Sequence, residues 1–267
     1  MRNCPSRLWA RCCAVYWLRD DHENPMLSRK RLKIITVVLA LLLMAVGIIV
    51  FQPAWIITTL AKRSPGVIYF IETREPVIAL TIDDGPDSVA TSKILELLGQ
   101  HDAHATFFLI SSHIPGNEEI VRRTVEGGHE LGNHLTTDEA SIFLNGYEFE
   151  RRLLEAHQAL SRFSNVRWFR PGSGWYNQKM LSIIQKHGYQ CALGSVYPFD
   201  PQIPSAWFIT HHILRKVRPG SVIVLHDHGA RGGRTITVLD AILPELKRRG
   251  FRMVTLSELV DLHSTKK

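Results

Sequence analysis

Two adjacent carboxylates, Asp83 and Asp84, stand at the end of the apolar run at 77–82 and are followed by Gly85-Pro86. Two carboxylates this close repel each other unless a cation or a shared proton relieves the repulsion. The pair therefore indicates one metal ligand beside one general base. The alternative is a simple turn without chemistry, because Asp, Gly and Pro are ordinary loop residues.

Further polar residues occupy the same kind of position, at the ends of other apolar segments. Arg170 ends one segment, Asp200 and His226 follow two others, and His134 ends a fourth, with Asp138 four residues beyond it. In parallel α/β folds the carboxyl ends of the strands meet at one edge, where chemistry collects. We therefore expect these side chains to lie close together. The structural alternatives are a salt bridge for Arg170, a turn at Asp200 and a buried histidine at His226.

The elements that must position these residues alternate from residue 74 onward. The predicted strands are 77–82, 105–110, 130–134, 167–171, 190–196, 221–226 and 252–256, and the predicted helices are 88–100, 117–127, 146–163, 177–187, 206–217 and 236–249. Strict alternation predicts a parallel sheet with crossover helices, as a barrel or as an open doubly wound sheet. No internal repeat interrupts it, so we expect one α/β domain.

An apolar run of 18 residues at 34–51 precedes this domain, with four basic residues just before it and two after it. Such a run is long enough to span a bilayer and predicts a single transmembrane helix at 34–55. The charge bias places the basic tail at 1–33 in the cytoplasm and the domain outside it, in the periplasm, at the cell surface or in the secretory lumen. A linker at 56–74 and a catalytic domain at 75–262 complete the expected organisation. The alternatives are a cleaved signal peptide and a translation start at Met26.

The charge of the chain points to lipid or wall polymer rather than to nucleic acid. Net charge is +7, yet no stripe of Lys and Arg interleaved with aromatic residues is present. Such a stripe would be expected of a nucleic-acid interface. We therefore expect no nucleic-acid partner, and a lipid bilayer or an anionic polymer as the surface that the basic residues face.

Five motifs give the chain a resemblance to a known family. In chain order they are Thr81-Ile82-Asp83-Asp84-Gly85-Pro86, Gly132-Asn133-His134-Leu135-Thr136-Thr137-Asp138, Arg170-Pro171-Gly172-Ser173-Gly174, Ser195-Val196-Tyr197-Pro198-Phe199-Asp200-Pro201 and Gly220-Ser221-Val222-Ile223-Val224-Leu225-His226-Asp227. Residues 75 to 260 thereby resemble the polysaccharide deacetylases, the family 4 carbohydrate esterases. The first and last motifs match the family pattern closely, and the three between them diverge from it.

The resemblance implies a distorted barrel of seven or eight β/α units that removes N-acetyl groups from an N-acetylhexosamine glycan of the chitin or peptidoglycan type. Asp83 would be the general base, and Arg170 would orient it. His226 would be the general acid, with its pKa tuned by Asp200. The backbone N–H at Ser173 would help to hold the tetrahedral oxyanion.

The resemblance also implies a divalent metal ion, Zn²⁺ in the first place, held by Asp84 and His134. The family pattern has a histidine as third ligand, where this chain has Asp138. Aspartate is a competent zinc ligand and also suits other divalent ions. Its alternative role is the N-cap of a helix that begins at Glu139.

Two questions of function stay open at this point. Trp175 is placed to stack on a sugar ring in substrate binding, although aromatic residues of such domains more often belong to the core. The departures from the family pattern also allow a catalytically inactive membrane protein that binds glycan on the same scaffold.

Overall fold

The computed structural model of the chain describes residues 29–264, in two compact units that divide between Ala54 and Trp55. The first contains helix α1 (Arg29–Phe51), which includes the apolar run. No helix within 29–264 is long and apolar enough to cross a membrane, so the predictions of a transmembrane helix at 34–55 and of a single-pass membrane location are wrong. The helix at this place, α1, includes the apolar run together with four basic residues among its first five. The remainder of the predicted tail, 1–28, lies outside the described residues.

The second unit is built on a parallel sheet of eight strands within the described residues. The strands are β1 (Val67–Ile68), β2 (Val77–Asp83), β3 (Ala105–Leu109), β4 (Glu130–Asn133), β5 (Trp168–Phe169), β6 (Gln190–Ala192), β7 (Val222–His226) and β8 (Arg252–Val254). The helices after α1 are α2 (Ala54–Arg63), α3 (Ala90–Gln100), α4 (Glu118–Glu126), α5 (Gly146–Leu160), α6 (Gln178–Lys186), α7 (Ala206–Lys216), α8 (Ala230–Arg248) and α9 (Leu256–Ser264). The predicted parallel α/β class is confirmed.

The order of the strands makes the sheet a half-barrel. Along the sheet the order is β1-β6-β5-β4-β3-β2-β7, and β8 pairs with β2 outside this path. Beyond β6, a single bridge between Val196 and Ile223 connects the chain to β7. The two ends of the strand path therefore approach each other without a continuous ladder between them.

The strands at the centre of the sheet are continuous apolar runs because helices cover them. All seven residues of β2 are buried, as are all five of β3 and of β7. Among the largest fully buried side chains are Trp168, Phe107, Phe108, Phe149 and Phe169. Each large apolar side chain stabilises the fold by roughly 1.5–3 kcal/mol when it is buried. This core fixes the strand ends that carry the polar residues.

Because the strands are parallel, their carboxyl ends lie at one edge of the sheet. In the register of the sheet, Asp83 at the end of β2 is opposite His226 at the end of β7. On the other side, the last residue of β4, Asn133, is opposite Phe169, the last residue of β5. Asp83 and His226 are themselves residues of the predicted site. Asn133 and Phe169 each directly precede one, His134 and Arg170.

Helix α8 begins six residues earlier than predicted, at Ala230 instead of residue 236. The glycines at 232 and 233 lower the helix propensity of this segment. A tertiary contact reverses that local preference, because a Cβ at Gly232 would come within 2.3 Å of the carbonyl oxygen of Asp227 and 2.4 Å of the Ala90 side chain. The first turn of α8 therefore packs against the end of β7, and this places Arg231 at the rim of the sheet.

Candidate active site

The predicted base and its predicted orienting residue form a buried ion pair. Asp83 Oδ1 lies 2.6 Å from Arg170 Nη1, and both side chains are nearly inaccessible to solvent. Arg170 also donates to Thr81 Oγ1 and to the carbonyls of Ala192 and Leu193, at 2.8, 2.9 and 3.0 Å. Its guanidinium lies 4.0 Å from the centre of the Phe108 ring. The carboxylate of Asp83 is thus held in one orientation with its charge compensated.

Asp84 turns away from the strand, and its backbone φ of 77° makes this possible. That left-handed conformation is uncommon for a residue other than glycine and is best tolerated by Asn and Asp. Its Oδ1 lies 3.4 Å from His134 Nε2. Burial would raise the pKa of the Asp84 carboxyl, but the hydrogen bond and charge of His134, and then the charges of His226 and Arg231, hold that pKa well below its usual range.

The ring of His134 is oriented by the main chain. Its Nδ1 lies 2.8 Å from the carbonyl oxygen of Arg170, so Nδ1–H is the donor and Nε2 is directed to Asp84. A histidine whose second nitrogen is fixed in this way is a typical metal ligand. Burial lowers the pKa of His134, and the two carboxylates of Asp83 and Asp84 more than offset that effect and raise it.

The predicted acid, His226, forms a buried pair with Asp200. Asp200 Oδ2 accepts hydrogen bonds from His226 Nδ1–H at 2.9 Å and from the His226 backbone N–H at 3.1 Å. Burial lowers the pKa of the imidazole, but Asp200, followed by Asp83 and Asp84, raises it to about 9. The ring is therefore a proton donor at neutral pH, with Nδ1 fixed and Nε2 free to face a substrate.

These residues surround a cavity of about 420 Å³. The predicted substrate-binding residues Ser173 and Trp175 lie on its wall, next to Arg170 in the chain. Ser173 has a backbone φ of 61° within the short 3-10 turn Gly172–Gly174. The Trp175 side chain is 68% exposed, so it does not belong to the core. Both residues are thus accessible from the cavity.

Asp138 also lines the cavity, but the structure does not join it to Asp84 and His134. Its Oδ2 accepts from Arg231 Nη2 at 3.2 Å, and its side chain is 55% exposed. No group of three His, Cys, Asp or Glu side chains within 29–264 is arranged to hold a metal ion. Asp138 is not a helix N-cap either, because Ala140 has that place before the short 3-10 turn Ser141–Phe143. The three-ligand set therefore stays a prediction.

Sequence reasoning did not single out Arg231 and Tyr197, which both lie on the cavity wall. Arg231 makes an ion pair with Asp84, with 2.9 Å between Nη1 and Oδ2. Tyr197 lines the cavity as well, and its hydroxyl donates to Gln202 Oε1 at 3.0 Å. A basic residue five positions after His226 at a strand end was the available signal for Arg231. The sequence contained no signal for Tyr197, because this residue stands where the family pattern has an aspartate.

Comparison with known proteins gives the chain its relatives. A sequence profile described as polysaccharide deacetylase matches residues 71–192. A peptidoglycan-N-acetylglucosamine deacetylase of Bacillus cereus is 34% identical over 197 residues, which cover 73% of this chain and 92% of the relative. A chitooligosaccharide deacetylase of Sinorhizobium fredii is 32% identical over 199 residues, which cover 70% and 93% of the two chains.

Solved structures show the same similarity. The crystal structure of a peptidoglycan N-acetylglucosamine deacetylase in complex with 4-naphthalen-1-yl-N-oxidanyl-benzamide matches with a TM-score of 0.69 and 31% identity, over 73% of this chain and 92% of the other. The profile match at 71–192 contains Asp83, Asp84, His134, Asp138 and Arg170. The second half of the cavity, with the His226 pair and Arg231, lies beyond that match.

Proposed function

This chain belongs to the polysaccharide deacetylase family, and we propose that it removes the N-acetyl group from N-acetylhexosamine units of a glycan of the chitin or peptidoglycan type. Membership confirms the predicted family and the predicted enzyme class, a polysaccharide N-deacetylase. Relatives described as acting on peptidoglycan N-acetylglucosamine and on chitooligosaccharides support the substrate class. The observation that carries the proposal is the cavity itself, which is lined by the Asp83–Arg170 pair and by His226, whose imidazole is held by Asp200.

In the proposed reaction, Asp83 and His226 divide the proton transfers. Hydrolysis of an amide requires a base to take a proton from water and an acid to protonate the departing amine. Asp83, oriented by its contact with Arg170, accepts the proton from water. His226, whose pKa lies at about 9, gives its proton to the amine nitrogen. The backbone N–H at Ser173 donates to the oxyanion on the cavity wall, and Trp175 provides a flat apolar face for the sugar ring.

Asp84 and His134 fit a divalent metal ion. Asp84 Oδ2 is buried and makes no hydrogen bond, although it has Arg231 as an ion partner, and His134 Nε2 is aimed at the same carboxylate. One carboxylate and one imidazole are ligands that Zn²⁺ accepts, and Asp138 is proposed as the third. When bound, the ion would polarise the amide carbonyl and lower the pKa of water.

The function is tested by measuring acetate released from N-acetylglucosamine oligomers and from peptidoglycan fragments by the full chain with added Zn²⁺. Acetate release that depends on metal is the expected result. Acetylated xylan is the control for an ester substrate. No acetate from any N-acetyl glycan, with or without several divalent ions, would contradict the proposal.

The second candidate function is glycan binding without hydrolysis. The ion pair between Arg231 and Asp84 favours it, because a guanidinium then takes the place beside Asp84 where a metal ligand needs an open position. Glycan that binds without release of acetate, in the presence of bound metal, would establish this candidate in place of the first.

The Asp200–His226 pair predicts a specific pH effect. The pKa of His226 is raised from 6.5 to about 9, so a general acid at this position stays protonated until the pH passes that value. Replacing Asp200 with Asn removes the charge that contributes most to the increase, and the pKa of the imidazole falls. We expect the alkaline limb of the kcat/KM profile to move to lower pH.

The control for this prediction is Asp240→Asn, which removes a carboxylate from an exposed position on α8. The alkaline limb of the kcat/KM profile of Asp240→Asn should lie at the same pH as that of the unaltered chain. An Asp200→Asn profile that is lower at every pH but unmoved along the pH axis would show that Asp200 does not tune His226.

A further inference from the structure

Arg231 contacts two of the three predicted metal ligands. Nη1 lies 2.9 Å from Asp84 Oδ2, and Nη2 lies 3.2 Å from Asp138 Oδ2. The guanidinium therefore bridges the inner carboxylate and the outer one. Its position is set by the first turn of α8, which the close contact of Gly232 with the end of β7 holds at the rim of the sheet.

The bridge adds positive charge beside a buried carboxylate. Asp84 is buried, its side chain being only 3% exposed, and a buried carboxylate without a compensating charge is strongly unfavourable. Arginine is permanently charged, and its planar fork can contact two carboxylates at once. Arg231 thus adds, from within the chain, to the positive charge with which His134 and His226 already face Asp84.

A metal ion and this guanidinium are competitors for the same oxygen. Both are cations, and like charges at such short range repel strongly in a partly desolvated site. Within residues 29–264, Asp84 Oδ2 makes no hydrogen bond and has Arg231 as its ion-pair partner, so it is the atom released when Arg231 leaves. Asp138 is released at the same time, since the other arm of the guanidinium holds it.

The exposures of the three side chains show which of them can leave. Asp84 is fixed in the core, whereas Arg231 is 25% exposed and Asp138 is 55% exposed. The guanidinium can therefore move into water without disturbing the buried carboxylate. A long arginine side chain reaches solvent readily from a helix at the rim of a cavity.

We infer that Arg231 is an internal counter-ion of the metal site, which a divalent cation must displace from Asp84 and Asp138 in order to bind. The inference rests on the proposed function, because it assumes that Asp84 and His134 are metal ligands. It adds that the affinity of the site for metal is set by a residue that is not itself a ligand. It also gives a role to the contact between Asp138 and Arg231.

The test is a calorimetric titration of the metal-depleted full chain with Zn²⁺, in the absence of glycan. Arg231→Gln keeps a polar side chain and removes the charge, and we expect its dissociation constant for Zn²⁺ to fall by about tenfold or more. Arg123→Gln removes the same charge from an exposed position on α4, outside the cavity, and should bind with an affinity within about twofold of the unaltered chain. Equal or weaker binding by Arg231→Gln, or no binding by it at all, would overturn the inference.

Thermal unfolding in EDTA provides an independent readout. Without metal, Arg231→Gln should melt at a lower temperature than the unaltered chain, because Asp84 has lost its partner, and Zn²⁺ should raise its melting temperature by more. If Arg231→Gln does not fold without metal, Arg231→Lys serves in its place. It keeps a charge but cannot bridge two carboxylates, so its affinity for Zn²⁺ should also exceed that of the unaltered chain. An affinity for Zn²⁺ that is unchanged in the lysine variant would contradict the bridge.

The metal titration separates this inference from the proposed function. Tighter Zn²⁺ binding by Arg231→Gln in a protein that releases no acetate would support the counter-ion role and reject the deacetylase. Acetate release by the unaltered chain, with an unchanged affinity for Zn²⁺ in Arg231→Gln, would support the deacetylase and reject the counter-ion role.

Discussion

Replacing Asp83 with Asn is expected to lower kcat for acetate release by about 100- to 10,000-fold, the usual contribution of a positioned general base. The amide has nearly the same shape as the carboxylate but does not accept a proton at neutral pH. Asp83 is buried at the end of β2 and held by Arg170 at 2.6 Å, so the asparagine amide occupies the place of the carboxylate without supplying a base. The measurement is the steady-state rate of acetate release from an N-acetylglucosamine oligomer, with Zn²⁺ present.

Asp102→Asn is the matched control for this change. Asp102 is exposed and has a positive φ of 52°, which asparagine adopts as readily, so its activity should be unchanged. Glycan affinity should be similar in Asp83→Asn and the unaltered chain. The substitution removes only the group that accepts the proton during the reaction, and this group is not needed to bind the glycan. A kcat within tenfold of the unaltered value would show that another group acts as the base.

The second large effect concerns stability. Replacing Arg170 with Met should lower the free energy of unfolding by about 3–5 kcal/mol, because it leaves the charge of Asp83 buried without a partner. The same change removes the donors to Thr81 and to two main-chain carbonyls. Urea denaturation measures the loss, and acetate release should fall with it, since the base is no longer oriented.

A double-mutant cycle identifies the cause. Adding Asp83→Asn to Arg170→Met removes the uncompensated charge, so the double variant should be more stable than the sum of the single changes predicts. Arg167→Met is the control, because that side chain is 43% exposed and its pairing with Asp261 spans 3.5 Å. Arg167→Met should lower the free energy of unfolding by about 1 kcal/mol or less. Strict additivity in the cycle would mean that the Asp83–Arg170 contact contributes little energy.

The site residues that could be predicted from the sequence are those that stand at the ends of apolar runs, where strands end. Asp83 follows an unbroken apolar run, and His226 ends another, so the parallel topology alone predicts that they meet. Arg170 is 87 residues from Asp83 in sequence, and a pattern cannot show that its guanidinium turns inward between two strands. The resemblance to a known family supplied that pairing.

Arg231 was missed for a physical reason. Its partner Asp138 lies 93 residues away, and the glycines beside it suppress the helix that in fact carries it. Tertiary packing at Gly232 outweighs that local preference, and only coordinates show it. Strand β1 was missed for a related reason, because a strand of two residues has no periodicity and exists through its pairing with β6.

Arg170 contacts two residues of the candidate site through different parts of its own structure. Its side chain holds the carboxylate of Asp83, while its main-chain carbonyl fixes the imidazole of His134. Substitution at position 170 changes the first interaction and leaves the second in place, because every amino acid has the same carbonyl. The environment of the Asp83 carboxylate can therefore be altered through one side chain, while the backbone preserves the tautomer of the neighbouring imidazole.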